Sequence, residues 1–178
     1  MDVDGLDGGG GSTERATRVD RSFAFIDLCG FTAYTDHEGD DEAVDILNAF
    51  RATVRGVASA RGVRIAKWLG DGAMLVGVEA EPLLEAIVEI EALIDSSGSP
   101  LPLRGGFTSG RVILIDGDDY IGTPVNLGAR LCDCAEPRQI LAPADTVEHL
   151  YTSLVARPIG TRAIAGFDDP VDLVELAR

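Results

Sequence analysis

Two aspartates stand where their neighbours suggest chemistry. Asp27 closes the apolar run Phe23-Ala24-Phe25-Ile26, which reads as a buried strand, and Leu28-Cys29-Gly30-Phe31-Thr32 follows it. The glycine lets backbone N–H groups approach a ligand, and a helix start beyond it would favour phosphate oxygens. A helix-capping aspartate would occupy the same place. Asp71 lies in Lys67-Trp68-Leu69-Gly70-Asp71-Gly72, at the tip of a β-hairpin read over 63–78. Asp-Gly is also an ordinary hairpin turn. If the hairpin pairs with the first strand, the two carboxylates meet. Two carboxylates among oxygen donors suit Mg²⁺ or Mn²⁺, which keep several waters and bind substrate phosphates. Such ions acidify an attacking hydroxyl and neutralise a leaving pyrophosphate.

A third group lies further along. Thr123-Pro124 reads as an N-cap followed by a proline in the first helical turn. Asn126 and Arg130 are four apart and share one face of that helix. Arg130 suits charge on a transferring phosphoryl group, and Asn126 suits a sugar hydroxyl. Asp119 lies in the preceding loop. Taken singly, each is also an ordinary solvated residue. Of the 15 basic residues only Lys67 is lysine, so its presence calls for a reason.

The elements that must position these groups follow from periodicity. Val44, Leu47, Phe50 and Val54 mark an amphipathic helix over 41–60, closed by Gly62. A Gly-Phe-Thr turn is expected at 30–32. Pro82 opens a helix through Leu84, Ile87, Val88 and Ile94. Two strands, 103–109 and 111–115, flank Gly110, and 116–119 reads as a loop. The helix from Thr123 ends near Pro137. A small helix over 144–150 and strands at 139–141, 154–158 and 171–176 finish the chain. Hairpins mixed with crossover helices imply an α/β, or α+β, sandwich around a mostly antiparallel sheet. Residues 1–20, with Gly8-Gly9-Gly10-Gly11-Ser12, lack periodicity and read as a disordered tail, leaving 21–178 as one domain.

Bulk properties narrow the classes. The 178 residues carry a net charge of −15, which disfavours nucleic acid and anionic membrane as partners. No apolar stretch approaches a bilayer span, and the acidic, Gly-rich first residues do not read as a signal peptide. Cys29, Cys132 and Cys134 form no disulfide framework, and two histidines leave little for a His/Cys metal site. A cytoplasmic location is therefore expected. Gly-Lys-[Ser/Thr], Gly-x-Gly-x-x-Gly and Gly-x-Ser-x-Gly in their structural settings are all missing, which leaves kinase, Rossmann and hydrolase readings without support.

Three blocks in order and spacing resemble the class III adenylate/guanylate cyclase catalytic domain of short bacterial type: 25–32, Lys67-Trp68-Leu69-Gly70-Asp71, and 119–130, with 160–176 similar to its closing strands. The resemblance covers about 22–177 and implies a ferredoxin-like, palm-type sheet with flanking helices. It implies conversion of ATP to 3′,5′-cyclic AMP and pyrophosphate with two divalent ions on Asp27 and Asp71, assisted by the Leu28 carbonyl. Backbone at Cys29, Gly30, Phe31 and Thr32 would cradle the triphosphate. Lys67 would donate to adenine N1 and Asp119 would accept the amino hydrogen, which selects ATP over GTP. Asn126 would orient the ribose and Arg130 would stabilise the transition state. Sites would form in a homodimer, the aspartates of one chain facing the other four residues of its partner. Two departures stand out: Ala165 replaces the family's phosphate-contacting lysine, with Arg162 nearby, and the 110–122 segment is short for an arm that clasps a partner. A nucleotide-binding regulatory module and a guanylate cyclase are the competing readings.

Overall fold

The computed structural model describes residues 17–178. Strand β1 (Thr17–Leu28) leads to helices α1 (Phe31–Glu38) and α2 (Asp40–Arg61), then the hairpin β2 (Arg64–Leu69) and β3 (Gly72–Gly77). Helix α3 (Ala80–Ser96), β4 (Leu103–Ile115), β5 (Asp119–Ile121) and α4 (Thr123–Cys134) follow. The chain closes with β6 (Ile140–Pro143), α5 (Ala144–Val147), β7 (Val155–Arg162) and β8 (Val171–Ala177). The sheet runs β2-β3-β1-β4-β6-β8-β7, with β5 attached to β4, and only β4 with β6 is parallel. This is the mostly antiparallel palm-type sheet with flanking helices that the sequence implied.

Strand alternation divides the core. Ala24, Ile26 and Leu28 of β1 face a main core with Phe50 and Val54 of α2 and Leu84 and Ile87 of α3. Phe23 and Phe25 face the opposite side, with Met74, Val76 and Val112, beneath α4. Asp27 follows Phe23 and Phe25 in that alternation. The α4 side of the sheet therefore carries the candidate chemistry.

Helix α4 sits close because the sheet offers glycine. A Cβ on Gly106 would lie 2.4 Å from the Gly128 carbonyl oxygen and 2.6 Å from the Cys132 nitrogen. The buried Thr108 hydroxyl donates to the Pro124 carbonyl at 2.7 Å and ties the helix start to β4.

Several boundaries differ from the sequence reading. β1 begins at Thr17, so residues 17–20 of the expected tail pair with Leu114–Arg111, and the remainder of that tail lies outside the described residues. Their alternation was hidden because Val19 is the only aliphatic side chain among them. The turn at 30–32 opens into α1, which buries none of its residues and so carries little apolar periodicity. β4 runs unbroken through Gly110, where a Cβ would lie 2.8 Å from Pro124 Cγ, so the glycine makes room for that ring. Asp119, read as loop, begins a three-residue strand.

Gly106→Ala is expected to lose about 1–3 kcal/mol of stability through this clash. Gly56→Ala, on an open helix face with nothing within 4 Å, is expected to gain about 0.5–1 kcal/mol. Chemical denaturation of both variants checks the pair.

Candidate functional site

Register brings the two aspartates together. Asp27 of β1 stands opposite Gly72 of β3, directly beside the hairpin turn. The Leu28 amide donates to the Asp71 carbonyl at 3.3 Å and locks the turn against the strand end. A Cβ on Gly72 would lie 2.7 Å from the Ile26 carbonyl oxygen and 3.1 Å from Asp27 Oδ1, so glycine leaves the Asp27 carboxylate its room. Burial, then the charge of Asp27, pushes the Asp71 carboxyl above its usual range.

On its other side Asp27 stands opposite Arg104 of β4. Arg104 Nη2 and Nε donate to Asp27 Oδ2 at 2.9 and 3.2 Å, and Nη1 donates to the Asp133 carbonyl at 3.0 Å. Arg104 was absent from the sequence reading. Its signal there was a lone cation in an otherwise apolar strand start, Leu103-Arg104-Gly105. Among the described residues no group of three or more His, Cys, Asp or Glu side chains gathers as a metal site. Two hard carboxylates with a backbone carbonyl nevertheless fit Mg²⁺ or Mn²⁺, whose remaining positions go to water and phosphate. The Asp71 carboxyl is raised by burial first and by the Asp27 charge second, and a cation would relieve the second of these.

The expected phosphate loop is refined. The Cys29 amide is committed to the Pro102 carbonyl at 2.8 Å. Gly30 adopts φ 82°, the left-handed turn into α1, and the first helical bond runs from Tyr34 to Gly30. The amides of Phe31 and Thr32 precede that bond and head the helix, the place where anions are favoured. Burial pushes Cys132 up to about 12, so this thiol stays protonated.

Lys67 Nζ donates to Asp119 Oδ1 at 2.8 Å, and the Tyr120 amide donates to the same oxygen at 3.0 Å. Lys67, then the Tyr120 amide, holds the Asp119 carboxyl below its usual range. Both side chains are exposed.

Asn126 and Arg130 of α4 line a cleft of about 500 Å³ with Thr123 and the turn Ala165–Asp168. Ala165 faces the same space, and Arg130 leans on Asp133 at 3.4 Å. A larger neighbouring cleft, about 750 Å³, is lined by Asp145, Glu148, Asp168, Asp169 and Asp172. Its five carboxylates suit a triphosphate poorly, so the smaller cleft with its arginine is the better candidate. Among the described residues no hydrogen bond or ion pair joins the Asp27–Asp71, Lys67–Asp119 and Asn126–Arg130 groups.

No family model matches the chain. It is 36% identical over 163 residues, 92% of its length, to an uncharacterized protein of Mycobacterium tuberculosis, spanning 43% of that protein. It is 34% identical over 135 residues, 74% of its length, to an adenylate cyclase of Streptomyces coelicolor, spanning 35% of it. The chain thus spans less than half the length of these curated relatives. The solved adenylyl cyclase CyaB from P. aeruginosa shares the fold with TM-score 0.78 at 24% identity, over 92% of this chain and 96% of that one. Solved guanylate cyclase domains share it too. Among the described residues no helix is long and apolar enough to cross a membrane.

Asp71→Asn removes a partly buried charge that Asp27 repels and leaves the fold. The raised carboxyl means that Asp71 opposes the metal-free fold as pH rises through its folded titration, and favours it under acid. The variant is therefore expected to raise the melting temperature of the metal-free chain at pH 7 and to abolish stabilisation by added Mn²⁺. Differential scanning calorimetry with and without Mn²⁺ reads both.

Proposed function

We propose, for a chain that belongs to the class III adenylate/guanylate cyclase catalytic-domain family, that it converts ATP to 3′,5′-cyclic AMP and pyrophosphate in a site completed by a second copy. The observation that carries the choice of ATP is the Lys67–Asp119 contact at 2.8 Å. One donor and one acceptor at fixed spacing match adenine N1 and its amino group. Guanine presents the opposite pattern at those atoms and would leave both groups unpaired.

Asp27 and Asp71 would hold two divalent ions, with the Leu28 carbonyl assisting. Bound there, the ions would supply charge for the triphosphate and a lower pKa for the ribose 3′ hydroxyl. The chain's own residues do the rest. The Phe31 and Thr32 amides meet phosphate oxygens at the head of α1. Arg104 stands beside Asp27, where its Nε and Nη2 would become available to phosphate once that carboxylate is otherwise engaged, while Nη1 stays on the Asp133 carbonyl. Asn126 fixes the ribose so that its 3′ oxygen lines up with the α-phosphorus. Arg130 stabilises the charge that develops as that oxygen, its proton passing to solvent water, bonds to the α-phosphorus and the bond from that phosphorus to the departing pyrophosphate breaks. That no hydrogen bond or ion pair joins the three groups among the described residues is consistent with a site shared between two copies, with Asp27 and Asp71 of one facing Lys67, Asp119, Asn126 and Arg130 of the other. The cytoplasm, where ATP and Mg²⁺ abound, suits this reaction.

A second reading rests on Ala165. It faces the Asn126–Arg130 cleft where the family carries a cation, so the chain would bind nucleotide with little turnover. A third, guanylate cyclisation, draws on the shared fold of the solved guanylate cyclase domains.

Assays of cyclic nucleotide formation from ATP and GTP with Mn²⁺, across protein concentration, decide among them. Specific activity rising with concentration, preference for ATP, loss in Asp27→Asn, and a fall of about 10²–10³ in kcat for Arg130→Ala are expected. ATP binding without product would establish the regulatory module instead, and a faster rate with GTP would overturn the base assignment. Ala165→Lys is expected to tighten ATP by about 10–100-fold, read as KM.

A further inference from the structure

Strict alternation would put residues three apart in β2 on opposite faces of the sheet. The register of β2 against β3 shifts between Ile65 and Lys67, a β-bulge. Arg64 stands opposite Val76 and Lys67 opposite Met74, so both share the face of Phe23, Met74 and Val76. The bulge therefore delivers two cations to one side.

From there Arg64 reaches the β4–β5 hairpin in three ways. Its Nη2 donates to the Asp118 carbonyl at 3.1 Å and lies 3.4 Å from Tyr120 Oη. Its guanidinium covers the Tyr120 ring at 5.7 Å from the centroid. Tyr120 stands edge-on to the buried Phe23, with centroids 5.3 Å apart. Asp119 lies between the two residues that Arg64 holds.

We propose that Arg64 is a positioning residue for base recognition: through Asp118 and Tyr120 it straps the β4–β5 hairpin across the sheet face and holds Asp119 opposite Lys67. The inference rests on the reading of Lys67 and Asp119 as the adenine contacts. Magnitudes favour it. Strand β5 has three residues, too few to hold a fixed place by pairing alone. The Lys67–Asp119 pair is exposed, and such pairs contribute too little to anchor a loop. The planar fork of Arg64, bonded to backbone and stacked on a ring that packs on the core, supplies the missing order.

Lys67 is the only lysine, so reductive ¹³C-dimethylation yields a single side-chain NMR signal that reports the contact without turnover. Asp119→Asn is expected to move that signal. Arg64→Ala should move it in the same direction by at least half as much, while Tyr120→Phe, which keeps the ring, should leave it in place. A signal unmoved by Arg64→Ala, or unmoved by Asp119→Asn, overturns the proposal. In the cyclase assay Arg64→Ala should raise KM for ATP by about 5–30-fold with kcat nearly unchanged, and reduce the preference for ATP over GTP by a similar factor. An equal loss of kcat with both nucleotides and an unchanged preference would mark a merely structural residue and overturn it. If the wild type turns over neither nucleotide, the proposed activity fails while the Lys67 signal still judges the strap.

Discussion

The register of β1 between its two neighbours is the constraint on which the candidate site depends. That register sets Asp27 against Gly72 on one side and Arg104 on the other. It is held by packing rather than by the site. Phe23 and Phe25 fill one face and Ala24, Ile26 and Leu28 the other. A slip of one residue would drive each set to the wrong side and carry the Asp27 carboxylate into the main core. Burial of aromatic and aliphatic surface thus holds Asp27 beside the turn that carries Asp71, where their charges oppose one another. The cost shows in the raised Asp71 carboxyl, and Arg104 offsets part of it.

The same face must also seat α4, and small residues make that possible. Gly106 faces Gly128, and Gly110 lies beneath Pro124. A helix resting on glycines approaches the sheet more closely than one resting on side chains. Its outward residues, Asn126 and Arg130, are thereby held on a rigid platform against the 165–168 turn. The opposite face, with α2 and α3, supplies most of the buried surface and none of the candidate side chains. Division of labour between faces lets one side tolerate charge, glycine and open clefts because the other carries the stability.

Much of this was legible in the chain. The apolar run into Asp27, the Asp-Gly turn and the four-residue spacing of Asn126 and Arg130 each name a place, and periodicity orders the elements. A hairpin paired with the first strand was enough to expect Asp27 near Asp71. What remained hidden depends on non-local geometry. Arg104 acquires meaning only when β4 pairs with β1 in a particular register. Thr17–Asp20 join a strand because β4 extends far enough to pair with them, although their own sequence is polar. Gly110 looks like a break and is instead a seat for Pro124. The bulge at Ala66, which turns Lys67 to the face of Arg64, leaves no mark in composition or spacing.

Charge pairing explains why such a site can exist in a chain of net charge −15. Each candidate cation has a carboxylate partner: Arg104 with Asp27, Lys67 with Asp119, Arg130 with Asp133. Unpaired, these cations would be loosely placed, and a half-buried Asp27 would be costly. On the proposed reading, substrate and metal do not fill vacant charges but exchange partners with them. Asp27 would turn to a divalent ion and release Arg104, Lys67 and Asp119 would part for adenine, and Arg130 would exchange Asp133 for phosphate. Binding affinity is then a difference between two sets of contacts, and a base or ion that completes only some of the exchanges gains little. Discrimination follows from the pairs that the substrate-free chain already makes, because every wrong ligand must break a pair without replacing it.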